Sequence, residues 1–177
     1  TVRDASGSVR GRVRELAVVP QEHTARVLFF IVRTSHGERV LDLRSVKSCG
    51  ATVRATNAAA EWDSYTPSDG VLLLKRDLLD QQIIDVHGRK VVRVNDVELD
   101  STPTNHHVSL DLLAVDVGAR GAIRRLAHGL MPSFTLRALL EKIPPRVIPW
   151  QYVDLIETDP ARRVKLKIAY GGLAKMH

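Results

Sequence analysis

The chain has few cysteines, few aromatic residues and no long apolar run, and each shortage argues against a class of protein. Its 177 residues include one cysteine, Cys49, so no disulfide can form within the chain, which favours a reducing compartment. Aromatic residues make up only 5%, whereas domains that bind nucleic acid by base stacking depend on them. The longest apolar run, Val27 to Val32, is far shorter than the ~18 residues that cross a bilayer. These shortages predict a soluble, cytoplasmic protein.

The motifs of the common enzyme classes are also missing. There is no nucleophile elbow, P-loop or dinucleotide-binding glycine pattern, and Cys49 has no histidine near it in the sequence. His106 and His107 are adjacent, so on a strand they would face opposite sides and would not bind one metal together. Five aspartates lack the spacing of a calcium loop: Asp77, Asp80, Asp85, Asp96 and Asp100. We therefore expect no enzyme activity, no catalytic residues, no cofactor and no metal site.

What the chain does contain is one short pattern twice. DASGSVRGRVRELAV starts at Asp4, and DVHGRKVVRVNDVEL starts at Asp85. The offset of 81 residues (85 − 4) also pairs Gly7 with Gly88 and Arg12 with Arg93. Each Asp-x-x-Gly predicts a tight turn, because aspartate hydrogen-bonds the turn backbone and glycine accepts positive φ. Asp4, Gly7, Asp85 and Gly88 are the turn-forming positions of a predicted β-hairpin that occurs in two copies.

The similarity between the copies continues downstream. ARVLFFIVRT (25–34) corresponds to SLDLLAVDV (109–117), and VLDLRSVKS (40–48) corresponds to VIPWQYVDL (147–155). These segments are rich in valine, leucine and isoleucine, and Val108, Leu110 and Leu112 alternate with polar residues as in a half-buried strand. The repeat therefore predicts a mainly β protein made of two similar units.

The repeat and the turn-rich stretches predict the domain boundaries. Residues 1–56 form the first unit, with its N-terminal strand truncated, and the polar segment 57–70 is a linker. Residues 71–160 form the second unit. Its insertion, 118–146, holds one or two short helices, one of them over 134–143 with Ser133 as its N-cap. Residues 161–177 are a tail that leads into a further domain, so we expect the chain to be part of a longer protein.

Three positions are candidate contacts for a partner. Trp62 lies in the polar linker, where an exposed indole would serve as an anchor. Arg124 and Arg125 lie beside the predicted helix and would face an acidic protein or a phosphate. The net charge of +6 also allows weak electrostatic contact with anionic lipid or RNA. Arg10, Arg12 and Arg14 alternate along one strand, which favours a solvated outer face of a sheet.

Two segments resemble a known family. LLDQQIIDVHGRKVVRVNDVELD (78–100) resembles the PRC-barrel domain, and the segment 147–153 matches the family's final strand with its isoleucine–proline pair. The resemblance implies two tandem small SH3-like β-barrels of the PRC type, and it is clearer in the second copy than in the first. The ending VKLKIAYGGLAKMH is similar, at Leu173, Met176 and His177, to the lead-in of the MgtE-type intracellular domain.

The resemblance also implies a function. We expect a non-enzymatic regulatory or docking module, the N-terminal region of an MgtE-like magnesium-transport-related protein, cytoplasmic and attached to the membrane only through the full-length protein. Its expected partners are a downstream MgtE-like domain of the same chain, other protein domains or a second copy. The alternative is a ribosome maturation or RNA-associated assembly factor similar to the RimM type. A weaker third hypothesis, similarity to the reaction-centre H subunit, requires a membrane anchor.

Overall fold

The computed structural model describes residues 1–20, 22–104, 107–119, 123 and 146–155, and it is mainly β, as the sequence predicts. The chain divides into two compact units. The first comprises Thr1–Asp77 and Asp100–Asp111, and the second comprises Leu78–Leu99 together with the described residues from Leu112 onward. The predicted helix over 134–143 and the tail over 161–177 lie outside the described residues. No helix in the described part of the chain has the length and apolar character needed to span a bilayer.

The first unit is built on one curled sheet of eight strands. The strands are β1 (Val2–Arg3), β2 (Val9–Val18), β3 (Val27–Thr34), β4 (Gly37–Asp42), β5 (Val46–Ser48), β6 (Val53–Ala55), β7 (Asp63–Ser64) and β8 (Leu72–Leu73). Their order in the sheet is β5-β6-β1-β2-β3-β4-β7, and β8 pairs with β2. All pairs are antiparallel except β1 with β6, which is parallel.

One face of this sheet forms the main core of the first unit. Val2, Phe30, Val32 and Leu41 are at most 1% exposed, because alternate residues of the strands point to the same side. The strand β2 carries a bulge at Arg14, where the pairing with β3 skips one residue. A bulge bends a strand and increases its twist, which lets the sheet curl around its own core.

Residues 57–70, predicted as a linker, contain ordered elements that belong to the first unit. A 3₁₀ turn (Ala59–Glu61) leads into β7, which pairs with β4. The partner-contact prediction for Trp62 is wrong for this structure, because its side chain is buried at 3% exposure. Its indole Nε1 donates a hydrogen bond of 3.0 Å to Oδ1 of Asn57. The prediction assumed that Trp62 is exposed because its neighbours in the sequence are polar, whereas its side chain packs inward.

The second unit contains strands of three to nine residues. They are β9 (Gln82–Asp85), β10 (Lys90–Arg93), β11 (Asp96–Pro103), β12 (Val108–Asp116), β13 (Val147–Pro149) and β14 (Val153–Leu155). They form two three-stranded sheets, in the orders β10-β9-β14 and β11-β12-β13; the ends of β11 and β12 within Asp100–Asp111 count with the first unit. Ile83, Val94 and Val115 are fully buried, and Trp150 is 7% exposed.

The local structure repeats along with the sequence. Val2 pairs with Gly11 in the first hairpin, and Ile83 pairs with Val92 in the second, each residue 81 positions further on. The bulge at Arg14 corresponds to the break between β10 and β11 at Asn95, again 81 positions further on.

The last segments of the two copies also match. β4 is followed by a 3₁₀ turn, Leu43–Ser45, and then by β5; β13 is followed by a 3₁₀ turn, Trp150–Tyr152, and then by β14. From the end of the first strand onward, every boundary in this strand–turn–strand element is shifted by the same 107 residues (150 − 43). Leu43 and Trp150 open the two turns, and both are buried. The two copies therefore use the same place in the fold for an apolar side chain.

Candidate functional site

The strongest candidate site in the first unit is a cleft of about 480 Å³, here called the charged cleft. It is formed by the segment after Val19, the start of β3, the end of β4 with the following 3₁₀ turn, and the start of β12. Its floor is apolar, with the buried side chains of Val27, Leu43 and Val108. Its rim carries four charged side chains and two histidines: Glu22, His23, Arg26, Asp42, Arg44 and His107.

Asp42 and Arg44 form the best-defined ion pair of the rim. Nη2 of Arg44 lies 2.6 Å from Oδ2 of Asp42, and Nε lies 3.0 Å from Oδ1, so the contact is bidentate. The backbone N–H of Arg44 also donates to Oδ1, at 2.8 Å, which ties the pair to the start of the 3₁₀ turn. The hydrogen bonds from Arg44 lower the pKa of Asp42, and the positive charge of Arg44 lowers it further. Because the Arg44 side chain is 84% exposed, solvent screens the pair and its contribution to stability is small.

A second ion pair fixes the position of Arg26 on the rim. Nε of Arg26 donates to Oδ1 of Asp111 at 3.2 Å, and the backbones of the two residues form an isolated antiparallel bridge. Oδ2 of Asp111 accepts from the hydroxyl of Ser109, at 3.1 Å. The start of β3 is thereby joined to the start of β12, and Arg26 is held in place.

A turn after Val19 places the remaining rim residues. The N–H groups of Glu22 and His23 both donate to the carbonyl of Val19, at 2.9 and 3.0 Å. Glu22 is close enough to Arg44 to raise the pKa of its guanidinium, although Asp42 has the larger effect. The rim thus carries both signs of charge around an apolar floor. Such a surface suits the recognition of a ligand with an apolar side chain flanked by charges.

The four turn-forming positions all lie in turns, but the two turns differ. Oδ1 of Asp4 accepts from the Ser6 hydroxyl (2.6 Å) and from the N–H groups of Ser6 and Ser8, and Oδ2 accepts from Nε of Arg10 at 2.6 Å. The Ser6 bond is the largest of several effects, including Arg10, that together outweigh burial and lower the pKa of Asp4 to about 2.

The second turn has a simpler network. Oδ1 of Asp85 accepts a hydrogen bond of 2.8 Å from the N–H of Gly88. Gly7 has a φ of +80°, as predicted for a turn glycine, whereas in the second turn the residue with positive φ is Arg89, at +49°. The positive-φ position is therefore displaced by one residue between the copies.

The other sequence candidates have structural explanations or lie outside the described residues. Arg124, Arg125 and His106 lie outside them. Within them, no three His, Cys, Asp or Glu side chains are placed to hold a metal ion. Of the five aspartates, Asp77 accepts from the N–H of Leu73 at 2.9 Å and from Arg76. Burial raises the pKa of the Cys49 thiol, so at neutral pH it is protonated and weakly reactive.

Sequence reasoning missed the cleft residues. Asp42 and Arg44 were seen only as part of a repeated strand, and Arg26 and Asp111 are 85 residues apart, so no local pattern connects them. The one available signal was the D-x-R spacing at the end of β4, which lets an aspartate cap a 3₁₀ turn and pair with the arginine in it.

No family model, no curated protein and no solved structure matches the chain.

Proposed function

We propose that the chain is a non-enzymatic docking and regulatory module, the cytoplasmic N-terminal region of an MgtE-like magnesium-transport-related protein. The observation that supports docking is the charged cleft, in which paired charges surround an apolar floor. The transporter context rests on the sequence resemblance alone.

The composition of the charged cleft suits a polypeptide partner. Protein interfaces combine an apolar centre with a polar rim. Val27, Leu43 and Val108 supply the apolar centre. Asp42, Arg44 and Arg26 supply a rim with both signs of charge, and Arg26 is also paired with Asp111. A single-sign ligand would meet repulsion on part of this rim, whereas a peptide segment with one apolar side chain and flanking charges of both signs would not.

We also propose that each unit is a small SH3-like barrel of the PRC type. The support is the recurrence of the Asp-turn hairpin at an offset of 81 residues and of the strand–3₁₀–strand element at an offset of 107. In both copies the 3₁₀ turn begins with a buried apolar residue, Leu43 or Trp150. A short 3₁₀ turn between two strands lets the chain change direction without losing its backbone hydrogen bonds.

The coding sequence beyond His177 tests the transporter context. We expect it to encode a helical intracellular domain followed by CBS pairs or transmembrane helices. A stop codon directly after His177, or an unrelated enzyme domain, would contradict the proposal. Calorimetric titration of the chain with Mg²⁺ and Mn²⁺ adds a second check, since tight stoichiometric binding would make these units the metal sensor and not a docking module.

The docking role is tested by titrating the chain with the separately expressed domain encoded after His177. Arg44→Glu reverses one charge of the rim, and we expect the affinity to fall about tenfold. Lys90→Glu, an exposed reversal on β10 outside the cleft, is the matched control and should leave the affinity unchanged. Equal losses for both variants, or self-association of the chain in place of binding, would exclude the cleft as the docking site for that domain.

The second candidate function is an RNA-associated assembly factor similar to the RimM type. It is favoured by the exposed side chains of Arg12 and Arg33, which stand opposite each other on β2 and β3. Co-sedimentation with small ribosomal subunits across a salt series tests it. Retention at physiological salt supports this function, and loss of binding well below physiological salt contradicts it.

A further inference from the structure

Four arginines lie on adjacent strands of the first unit and face the same side of its sheet. Arg54 is on β6, Arg3 on β1, Arg12 on β2 and Arg33 on β3. Each follows or precedes a residue that points into the core, so each points outward by strand alternation, and all four are exposed. We call this set the arginine row.

The strand register brings these arginines together in pairs. Arg3 is the register partner of Arg54 in the parallel pair β1–β6, and Arg12 is the register partner of Arg33 in the antiparallel pair β2–β3. Neighbouring strands lie about 4.8 Å apart, so four strands span roughly 14 Å. Like charges directly opposite each other are unfavourable in a sheet. Repulsion between the paired arginines therefore raises the free energy of the unbound chain, and a bound anion would relieve this repulsion.

The arginine row has little internal compensation. None of its four side chains forms a salt bridge with any residue that the structure describes, in contrast to Arg10, Arg26, Arg44 and Arg76. Arg3 does donate to the carbonyl of Gly7, at 2.6 Å. Glu38 on β4 is the register partner of Arg33, so an acidic residue lies next to the row at its β3 end.

The same outer face is covered at its other end. There Ala17, Ile31 and Leu73 form a small apolar cluster, with Phe29 and Tyr65 packed against it. Ile31 and Arg33 are two residues apart on β3 and so share one face. One half of this face is thus covered by the chain's own segment around β8, and the half with the arginines is open in the described structure.

We propose that the arginine row binds the phosphate backbone of a nucleic-acid duplex without reading its sequence. Guanidinium groups bind phosphate oxygens in bidentate geometry, and all four positive groups of the row are arginines. No aromatic residue is part of the row, which disfavours single strands held by base stacking. Among the residues that the structure describes, the one large exposed apolar neighbour is Val9, which is too small to anchor a protein in a membrane interface as tryptophan, phenylalanine or leucine do.

The proposal has a quantitative consequence in salt. Each neutralised phosphate contributes about −0.9 to the slope of log affinity against log salt. Four contacts predict a slope of about −3.6, so that affinity falls roughly a hundredfold between about 50 and 200 mM salt. Affinity is expected to be the same for duplexes of different sequence, because phosphate contacts do not report the bases.

The test measures binding of the full 177-residue chain to a fluorescently labelled RNA duplex by anisotropy across a salt series. The double variant Arg12→Gln and Arg33→Gln should reduce the slope by about 2, one unit per lost contact. The matched control is Lys90→Gln with Arg93→Gln, which removes the same charge from β10. Arg93 occupies the position equivalent to Arg12 in the second copy, and its register partner is Gln82.

Each outcome either supports or contradicts phosphate binding by the arginine row. A reduced slope in the row variant with an unchanged slope in the control supports the proposal. Equal reductions in both would show that net charge alone attracts the duplex, and no binding at low salt would overturn the proposal. Binding to phosphatidylserine vesicles without binding to the duplex would assign the row to a lipid surface instead. Circular dichroism of both variants checks the fold. The inference is independent of the docking proposal, since the row and the charged cleft share no residue.

Discussion

The two Asp-x-x-Gly turns have the same sequence pattern but use their glycines for different reasons. Gly7 adopts φ +80°, and a Cβ added there would meet no atom within 4 Å. Gly88 does not adopt positive φ, but a Cβ there would clash with the carboxyl group of Asp85. The first glycine is needed for its backbone conformation and the second for its small size. The repeated sequence pattern therefore forms a turn in both copies, but different atoms stabilise each turn.

The residues in and directly after the two turns explain this difference. In the first turn, Ser6 and Ser8 supply hydroxyl and amide donors that hold the Asp4 carboxylate over the turn. In the second turn, Val86 and His87 occupy the intervening positions, and the Asp85 carboxylate folds over the N–H of Gly88. The small polar residues around Asp4 thus give the first turn a more extensive hydrogen-bond network than the second turn has.

The largest expected effect compares the buried residues that open the two 3₁₀ turns. Trp150→Ala should destabilise the second unit by about 3–5 kcal/mol, and Leu43→Ala should destabilise the first by about 2–5 kcal/mol, because each leaves a cavity. Urea denaturation followed by amide signals from each unit measures both. If either substitution costs less than ~1 kcal/mol, the two turns are not equivalent anchors of their units.

The pH dependence of stability sharpens the comparison of the two aspartates. The folded-state pKa of Asp4, about 2, is below the ordinary value of 3.8 for an aspartate. Its stabilising contribution is therefore full above about pH 4 and is lost as the pH falls towards 2. Asp4→Asn should flatten the loss of stability of the first unit over this range in acid titrations. An unchanged pH profile in the variant would show that the Ser6 and Arg10 contacts do not act on the carboxylate.

A double-mutant cycle separates the two roles of glycine. Gly7→Ala should cost about 1–2 kcal/mol, because an L-residue is strained at positive φ, and the cost should persist in an Asp4→Ala background. The cost of Gly88→Ala should disappear in an Asp85→Ala background, because the clashing carboxyl group is gone. Thermal unfolding of the six variants measures the couplings. A coupling of equal size in both turns would contradict the distinction.

The smallest expected effect concerns the like-charged strand pair. Arg12→Glu places a carboxylate opposite Arg33 and should stabilise the first unit by about 0.2–1 kcal/mol, while weakening any binding of polyanions. The control Arg93→Glu reverses the charge at the equivalent position, opposite the neutral Gln82, and should change stability by less than ~0.5 kcal/mol. Chemical denaturation compares the two variants. Destabilisation by Arg12→Glu would mean that the opposed arginines carry no electrostatic cost.

Periodic features of the fold were predictable from the sequence, and long-range ones were not. The repeat of Asp4 and Asp85 located both hairpins, and the alternation of Val108, Leu110 and Leu112 located β12. These signals depend on neighbours along one strand. The burial of Trp62 depends on the pairing of β7 with β4, which no local pattern records.

The candidate sites were less predictable than the strands. The alternation of Arg10, Arg12 and Arg14 did indicate an exposed strand face, but the sequence did not show that Arg33 and Arg54 lie beside it. That depends on the register of β3 and β6. The bulge at Arg14 and the ion pair of Arg10 with Asp4 also remove two of the three arginines from the regular pattern. Register, more than composition, determines which charges meet.

The most direct test of the account is a map of amide chemical-shift changes during titration of the ¹⁵N-labelled chain with a short RNA duplex at low salt. The account predicts changes centred on Arg3, Arg12, Arg33 and Arg54, and none on Lys90 or Arg93. Changes concentrated on β9 and β10, or no changes anywhere, would contradict the claim that the first unit carries the binding surface.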